Sequence, residues 1–184
     1  FQVEPIEKLL ELINKNIRRQ NELLGKTKRL KDFYSKNKSN NKVLVSYFDN
    51  LDAIKLAIFY SLYDKEKTIR TIVPADNFFH EIGKNFVEEY VEEKTNRGIK
   101  TKALWEDIPD KKFIKRYYYD SEIKQLPVDM HNSFETTVFI YSDKTLYIAP
   151  KKENYAVLIQ SKEHAKMMKT VFENIWGNSI NIKK

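Results

Sequence analysis

The spacing of hydrophobic residues changes near residue 43 and divides the chain into two parts. The first part has a stripe of positions at alternating steps of three and four residues, the period of a coiled-coil helix. The hydrophobic members of the stripe are Ile6, Leu9, Ile13, Leu23 and Leu30, and Ile17 lies beside it. The polar residues Asn16, Gln20 and Thr27 occupy the remaining positions of the stripe. We predict a dimerising helix over residues 1–36 and a polar linker over 37–42. The alternative is a helix that packs against its own domain.

From residue 43 onward, short apolar runs alternate with helical patterns. The segments "VLVSYF", "TIRTIVP" and "IKTKALW" have the pattern of strands, and one amphipathic helix separates each from the next. Asp49 or Asn50 can cap the first helix, and Gly98 can end the second. Strands joined by single helices predict a βαβαβ unit with parallel pairing.

The second half of the chain follows another order. Residues 107–127 are predicted to be irregular or part-helical, and their Tyr117–Tyr119 run fits either an aromatic platform or a packing contact. A hairpin in "TTVFIYSDKTLYIAP", a strand in "YAVLIQ" and a last helix from Ser161 to Gly177 follow. The predicted apolar face of that helix is Ala165, Met168, Val171, Phe172, Ile175 and Trp176. Residues 43–184 are therefore predicted to form an α/β domain with a mixed sheet flanked by helices.

Charge is concentrated in the first part of the chain. Residues 1–42 hold 11 Lys and Arg against 5 Asp and Glu, so that nearly all of the chain's net charge of +7 lies in this segment. A basic arm suits a protein held near a polyanion, but a solvated, lysine-rich helix face is the simpler explanation. No apolar run approaches the ~20 residues that span a bilayer. We therefore expect a cytoplasmic protein without a membrane partner.

The residue types exclude several kinds of site. The sequence has no cysteine, which rules out disulfides, thiolate zinc sites and cysteine nucleophiles. His80, His131 and His164 do not occur in pairs four residues apart, and no glycine-rich loop follows a strand. We predict neither a metal site nor a cofactor.

Several segments together resemble one family. They are "NKVLVSYFDNLDAIKLAI", "FVEEYVEEKTNRGIKTKAL", "KQLP" and "VFIYSDKTLYIAPKKENYAVLIQSKEHAKMMKTVFENIW". Their order is similar to the effector domain of TrmB-family transcription regulators, a phospholipase-D-like domain after a coiled-coil helix. The resemblance implies a homodimer that contacts DNA through a winged helix-turn-helix domain not present in this chain. It also implies a sugar-like small molecule or a protein as the effector.

The hairpin is where the phospholipase D signature, H-x-K-x4-D, would lie. With Asp143 at its Asp position, Thr136 takes the His position and Val138 the Lys position. The chemistry needs an imidazole nucleophile and a lysine on the phosphate, and neither residue supplies them. Asp143 is explained as a turn residue. We expect no enzymatic activity; the alternative is a phosphodiesterase, a phospholipase-D-like enzyme or a nuclease with a non-standard site.

A ligand of an open α/β sheet binds beyond the carboxyl ends of the strands. The candidate cleft residues follow the predicted strands or precede the hairpin. They are Tyr47, Asp49, Asn50, Asp76, Asp129, His131 and Thr136. The alternative is that they are exposed loop residues.

Overall fold

The chain divides into two compact units, residues 1–42 and residues 43–184. The computed structural model describes residues 14, 17, 18, 21 and 25 of the first unit and 43–74, 81–108, 111–118, 121–149 and 153–182 of the second. The five residues of the first unit are helical and exposed. Of the predicted dimer interface only Ile17 is among them, with 49% of its surface exposed. Ile6, Leu9, Ile13, Asn16, Gln20, Leu23 and Leu30 lie outside the described residues.

The second unit is a mixed α/β domain, as the pattern predicts. Its strands are β1 Leu44–Phe48, β2 Thr68–Val73, β3 Lys100–Trp105, β4 Glu122–Gln125, β5 Thr137–Tyr141, β6 Lys144–Ala149, β7 Tyr155–Gln160 and β8 Ile180–Asn181. Its helices are α1 Leu51–Tyr60, α2 Lys84–Asn96, α3 Lys111–Tyr117 and α4 Lys162–Asn178. None of these helices has both the length and the hydrophobicity needed to cross a bilayer.

The eight strands form one mixed sheet in the order β1-β7-β6-β5-β2-β3-β4-β8. β2 pairs in parallel with β3, and β3 with β4. The predicted parallel neighbourhood of β1 and β2 is wrong, because β1 pairs antiparallel with β7 at the far edge. Three strands separate β1 from β2, although the two run in the same direction. A single βαβ pattern does not define which strands are neighbours, since a crossover can pass over several strands.

Helices cover both faces of the sheet. On one face, Ile54 and Ile58 of α1 pack with Ile69, Phe139 and other buried residues, and α2 and α3 lie over the same face. On the opposite face, Phe172 of α4 packs with buried residues of β2, β3 and β5: Ile72, Leu104, Val138 and Ile140. Side chains alternate along β5, so that Phe139 and Ile140 contribute to opposite cores.

The helix caps were partly predictable. The side chain of Asn50 accepts a hydrogen bond from the Ala53 amide (2.9 Å), which makes it the cap of α1. Ser161 accepts one from the His164 amide (3.3 Å) at the start of α4. The predicted end at Gly177 is wrong, because α4 continues through it to Asn178. Gly98 stops α2 with a φ of 63°, and Gly177 lacks the positive φ that such a stop requires.

The structure corrects three further expectations for the second half and decides between two interpretations of the tyrosine run. Residues 107–127 contain helix α3 and strand β4, so they are more regular than predicted. Of the two interpretations of the tyrosine run, the packing contact is confirmed for Tyr117 and Tyr118, which are buried beside Trp105 and Phe113. Tyr119 lies outside the described residues. Val171 was predicted to lie on the apolar face of α4, but it is 42% exposed. Strand β8 follows α4, so this helix is not the last element of the chain.

Candidate functional sites at the two ends of strand β5

The first candidate site lies where β2, β3 and β4 end and β5 begins. We call this place the strand-end cleft, after the cleft predicted from the sequence, and define it by Glu106, His131 and Thr136. Thr136 directly precedes β5, and His131 lies in the loop between β4 and β5. A ring nitrogen of His131, Nε2, is 3.3 Å from the carbonyl oxygen of Leu126, and this contact holds the half-buried ring to the sheet edge. Asp129 belongs to the same loop and is exposed.

Glu106 holds the loop of the strand-end cleft against the sheet. It follows β3 directly and is only 3% exposed. Its carboxylate oxygen Oε1 accepts a hydrogen bond of 2.7 Å from the amide of Asn132, the residue after His131. Asn132 itself has a left-handed backbone, with a φ of 59°. The Glu106 carbonyl oxygen also accepts a hydrogen bond of 3.2 Å from the side chain of Gln125. Glu106 therefore joins the ends of β3 and β4 to the loop.

Removal of the Glu106 side chain tests this connection. We expect Glu106→Ala to lower the free energy of unfolding by about 1–3 kcal/mol, since the Asn132 amide loses its acceptor. Amide exchange at residues 131–133 should accelerate more than exchange in β6. Asp107→Ala is the matched control, because Asp107 is adjacent and exposed. Equal exchange rates in the two variants would contradict the role of Glu106.

The other predicted cleft residues are not brought to this place. Asp49 and Asn50 follow β1, which lies three strand spacings, about 14 Å, from β5. The Asn50 side chain donates to a carboxylate oxygen of Asp49 (3.0 Å) and caps α1. Tyr47 lies on the face of the sheet, where its ring stacks on Tyr155 at 5.9 Å. Asp76 lies outside the described residues.

The second candidate site lies at the opposite end of β5, around the turn of the hairpin. Lys144 begins β6, and its side chain is only 7% exposed. Its Nζ atom lies 2.6 Å from a carboxylate oxygen of Asp64 and 2.9 Å from one of Asp143. Gln160 of β7 donates a further hydrogen bond of 3.0 Å to Asp143. One lysine thus connects the loop before β2 to the hairpin turn.

The ion pairs dominate the electrostatics of this group. Burial is the largest single influence and by itself raises the pKa of Asp64 and of Asp143. The hydrogen bonds and charge of Lys144, together with hydrogen bonds from Ser142 to Asp64 and from Gln160 to Asp143, outweigh burial and hold both pKa values below the ordinary range. Burial alone lowers the pKa of Lys144, and its two carboxylate partners raise that pKa above the ordinary value. All three groups are therefore charged at neutral pH.

A second group of ion pairs connects the turn to α4. Glu66 accepts hydrogen bonds from the Ser142 amide, from Arg70 (2.8 Å) and from Lys169 (2.6 Å). Arg70 also donates to Glu173 of α4, at 2.8 Å. Burial opposes the ionisation of Glu66, but the bonds from Lys169 and Arg70 hold its pKa below the ordinary range. Exposed ion pairs contribute little singly, whereas a network of this kind fixes the turn relative to α4.

An open cavity of about 600 Å³ lies beside these ion pairs, and we call it the hairpin basin. Its lining comes from the hairpin turn and from one side of α4. The residues are Ser142, Asp143, Lys162, Lys166, Lys169, Thr170, Glu173 and Asn174. Within the described residues, no group of three or more His, Cys, Asp or Glu side chains is placed to hold a metal ion.

Similarity to solved structures identifies the fold. NucT from Helicobacter pylori superposes with a TM-score of 0.60 at 8% identity, over 77% of this chain and 100% of that chain. Nuc from Salmonella typhimurium, a phospholipase D family member, gives 0.53 at 13% identity, over 78% and 99%. The fold is phospholipase-D-like. TrmBL2, an archaeal chromatin protein described as showing a novel mode of DNA binding, gives 0.51 at 15% identity, over 96% and 69%. No protein-family profile and no curated protein matches the sequence.

The three positions of the phospholipase D signature, Thr136, Val138 and Asp143, lie in different environments. Val138 is 5% exposed and belongs to the core beneath α4. Thr136 lies at the strand-end cleft, whereas Asp143 lies at the other end of β5, in the turn. Asp143 is more than a turn former, because it accepts hydrogen bonds from Lys144 and Gln160. The explanation of Asp143 by turn formation alone was incomplete.

Two polar groups of these candidate sites were not predicted from the sequence. Glu106 carries the same signal as Asp76, because each is a carboxylate that follows a predicted strand. The Lys144–Asp64 pair had no such signal, since 80 residues separate the two partners. The fold therefore positions a polar group at each end of β5. The sequence pattern predicted residues of the strand-end cleft but not the Lys144–Asp64 pair at the hairpin turn.

Proposed function

We propose that this chain is the effector and dimerisation part of a TrmB-like DNA-binding transcription regulator, and that it has no catalytic activity. The proposal depends mainly on which residues occupy the His and Lys positions of the phospholipase D signature. Thr136 replaces the nucleophilic imidazole, and Val138 replaces the lysine that would hold phosphate oxygens. The Val138 side chain is enclosed in the core beneath α4 and offers no charge to a phosphate.

The similarity to TrmBL2 supports the regulatory part of this proposal. It extends over 96% of this chain, whereas NucT and Nuc cover 77% and 78%. In the proposed arrangement, a separate winged helix-turn-helix domain binds DNA, and the basic residues of 1–42 lie near DNA phosphates. A small molecule or a protein binds the α/β domain, and the signal passes along the helix.

A gel-shift experiment tests the regulatory role. The complete gene product and this 184-residue chain are compared on DNA from the gene's own promoter and on an unrelated duplex of equal length. We expect the complete product to prefer the promoter by at least about 100-fold, and this chain to show no preference. Equal affinity of the complete product for the two duplexes would contradict a sequence-specific regulator.

The dimer is tested with substitutions in the predicted stripe. We expect the wild-type chain to sediment as a dimer at tens of micromolar, and Ile13→Asp with Leu23→Asp to sediment as a folded monomer, since charges in a helical seam repel. Asn14→Asp with Asn21→Asp is the matched control, because both residues lie on an exposed helix face. A monomeric wild-type chain would exclude the dimer proposal.

The second candidate function is a phosphodiesterase with a non-standard site. The observation that favours it is the presence of His131 and Glu106 at the strand-end cleft, in a fold shared with a phospholipase D family member. Incubation with bis(4-nitrophenyl) phosphate separates the two functions. Release of nitrophenol that disappears in His131→Ala would support the enzyme and overturn the inactive regulator, and we expect no release above the buffer rate.

A further inference from the structure

The hairpin basin has an unequal charge balance. Its two carboxylates, on Asp143 and Glu173, already have cationic partners: Lys144 lies 2.9 Å from the first, and Arg70 lies 2.8 Å from the second. Gln160 donates a further hydrogen bond to Asp143, and Lys102 lies 3.5 Å from Glu173. These carboxylates are therefore engaged from the side of the protein, and their charge is largely compensated.

Two cations of the basin have no such partner among the residues that the structure describes. Lys162 and Lys166 are exposed residues one turn apart on the same side of α4. Across the described parts of the chain, neither ammonium group lies within 4.0 Å of a carboxylate. Lys169, one turn further along, is paired with Glu66 at 2.6 Å but also lines the basin. The side of α4 that faces the cavity thus carries a local excess of positive charge.

We propose that the hairpin basin binds a phosphate group, carried either by a nucleotide-like molecule or by a nucleic-acid backbone, with Lys162 and Lys166 holding that phosphate. A phosphate carries up to two negative charges, which matches the two positive charges of Lys162 and Lys166. The cavity of about 600 Å³ lies within the range of small-molecule sites. This inference is independent of the proposed function, because the strand-end cleft and the hairpin basin lie at opposite ends of β5.

The rigid surroundings of the basin favour binding. The Ser142 amide donates to Glu66, and the Ser161 amide donates to the Asp143 carbonyl oxygen at 2.8 Å. These bonds fix the hairpin turn relative to the first turn of α4, so little ordering is required when a ligand enters.

Titration of the full chain with two probes tests the site and identifies the source of the phosphate. The probes are ATP, followed by calorimetry, and a fluorescein-labelled 20-base-pair duplex, followed by anisotropy. We expect Lys162→Ala with Lys166→Ala to weaken binding at least about tenfold, because hydrogen bonds between an ammonium group and a phosphate are stronger than hydrogen bonds between neutral groups. The control is Lys111→Ala with Lys115→Ala on α3, which has the same spacing, exposure and change of net charge.

Each outcome has a definite meaning. Binding of ATP that only the α4 variant loses supports the site and assigns the phosphate to a nucleotide-like molecule. Binding of the duplex alone, with the same selective loss, supports the site and assigns it to a nucleic-acid backbone. Equal losses in the two variants indicate attraction by net charge only and overturn the proposal, as does the absence of binding by either probe at about 1 mM. The α3 control also accounts for any contribution from the basic residues of 1–42.

Discussion

Replacement of Phe172 by alanine is expected to lower the free energy of unfolding by about 3–5 kcal/mol. Phe172 is fully buried on the inner side of α4, and its ring stacks on Trp176 at 5.6 Å. It packs on Ile72 and Leu104, from the two central parallel strands. The substitution removes the hydrophobic contact and also leaves a cavity, because a covered sheet collapses only partly around a missing ring.

The neighbouring position provides the control for this prediction. Val171 is 42% exposed, and Val171→Ala should change the free energy of unfolding by less than about 0.5 kcal/mol. Urea denaturation followed by far-UV circular dichroism measures both variants. Similar midpoints for the two variants would mean that α4 contributes no packing to the fold.

The contrast between Phe172 and Val171 shows what the sequence can reveal about a helix. Both residues were predicted to lie on the apolar face of α4, because a broad stripe includes both at helical spacing. Only the position of the sheet decides which side of the stripe is covered, and that position depends on strands far away in the chain. The existence of the helix and its cap at Ser161 depend on neighbouring residues, and both were predictable.

The same distinction explains the sheet. The hairpin of β5 and β6 was predictable, because its turn joins adjacent segments and its alternation is local. The partner of β1 was not, since "VLVSYF" has the same pattern whether the strand pairs with β2 or with β7. At the candidate sites, His131 and Thr136 were found by their position near strand ends. The ion pairs of the hairpin turn join residues up to 103 apart in the sequence, and no local pattern indicates them.

Removal of the lysine at the centre of those ion pairs is the second large expected effect. Lys144→Met keeps an unbranched side chain of similar length and removes the charge. At pH 7 it leaves Asp64 and Asp143 ionised and close together without their shared cation. We expect a loss of about 2–4 kcal/mol, reduced from the value for a fully buried pair because Asp143 is 27% exposed. Lys100→Met, at the exposed start of β3, should cost less than about 0.5 kcal/mol.

The pH dependence of this loss distinguishes charge from packing. In the wild-type protein the pKa values of Asp64 and Asp143 are lowered, so their contribution to stability is complete above about pH 4 and is lost as the pH falls through the lower folded values. Without Lys144, burial raises the pKa of both groups, and protonation relieves their repulsion as the pH falls. The difference in urea midpoint between the two proteins should therefore be largest near neutral pH. It should begin to shrink above about pH 4, where the carboxyl groups of the variant take up protons, and shrink further below about pH 4, where the wild-type protein loses its ion pairs. A difference that stays constant between about pH 7 and pH 3.5 would show that the methylene stem of Lys144, and not its charge, stabilises the hairpin.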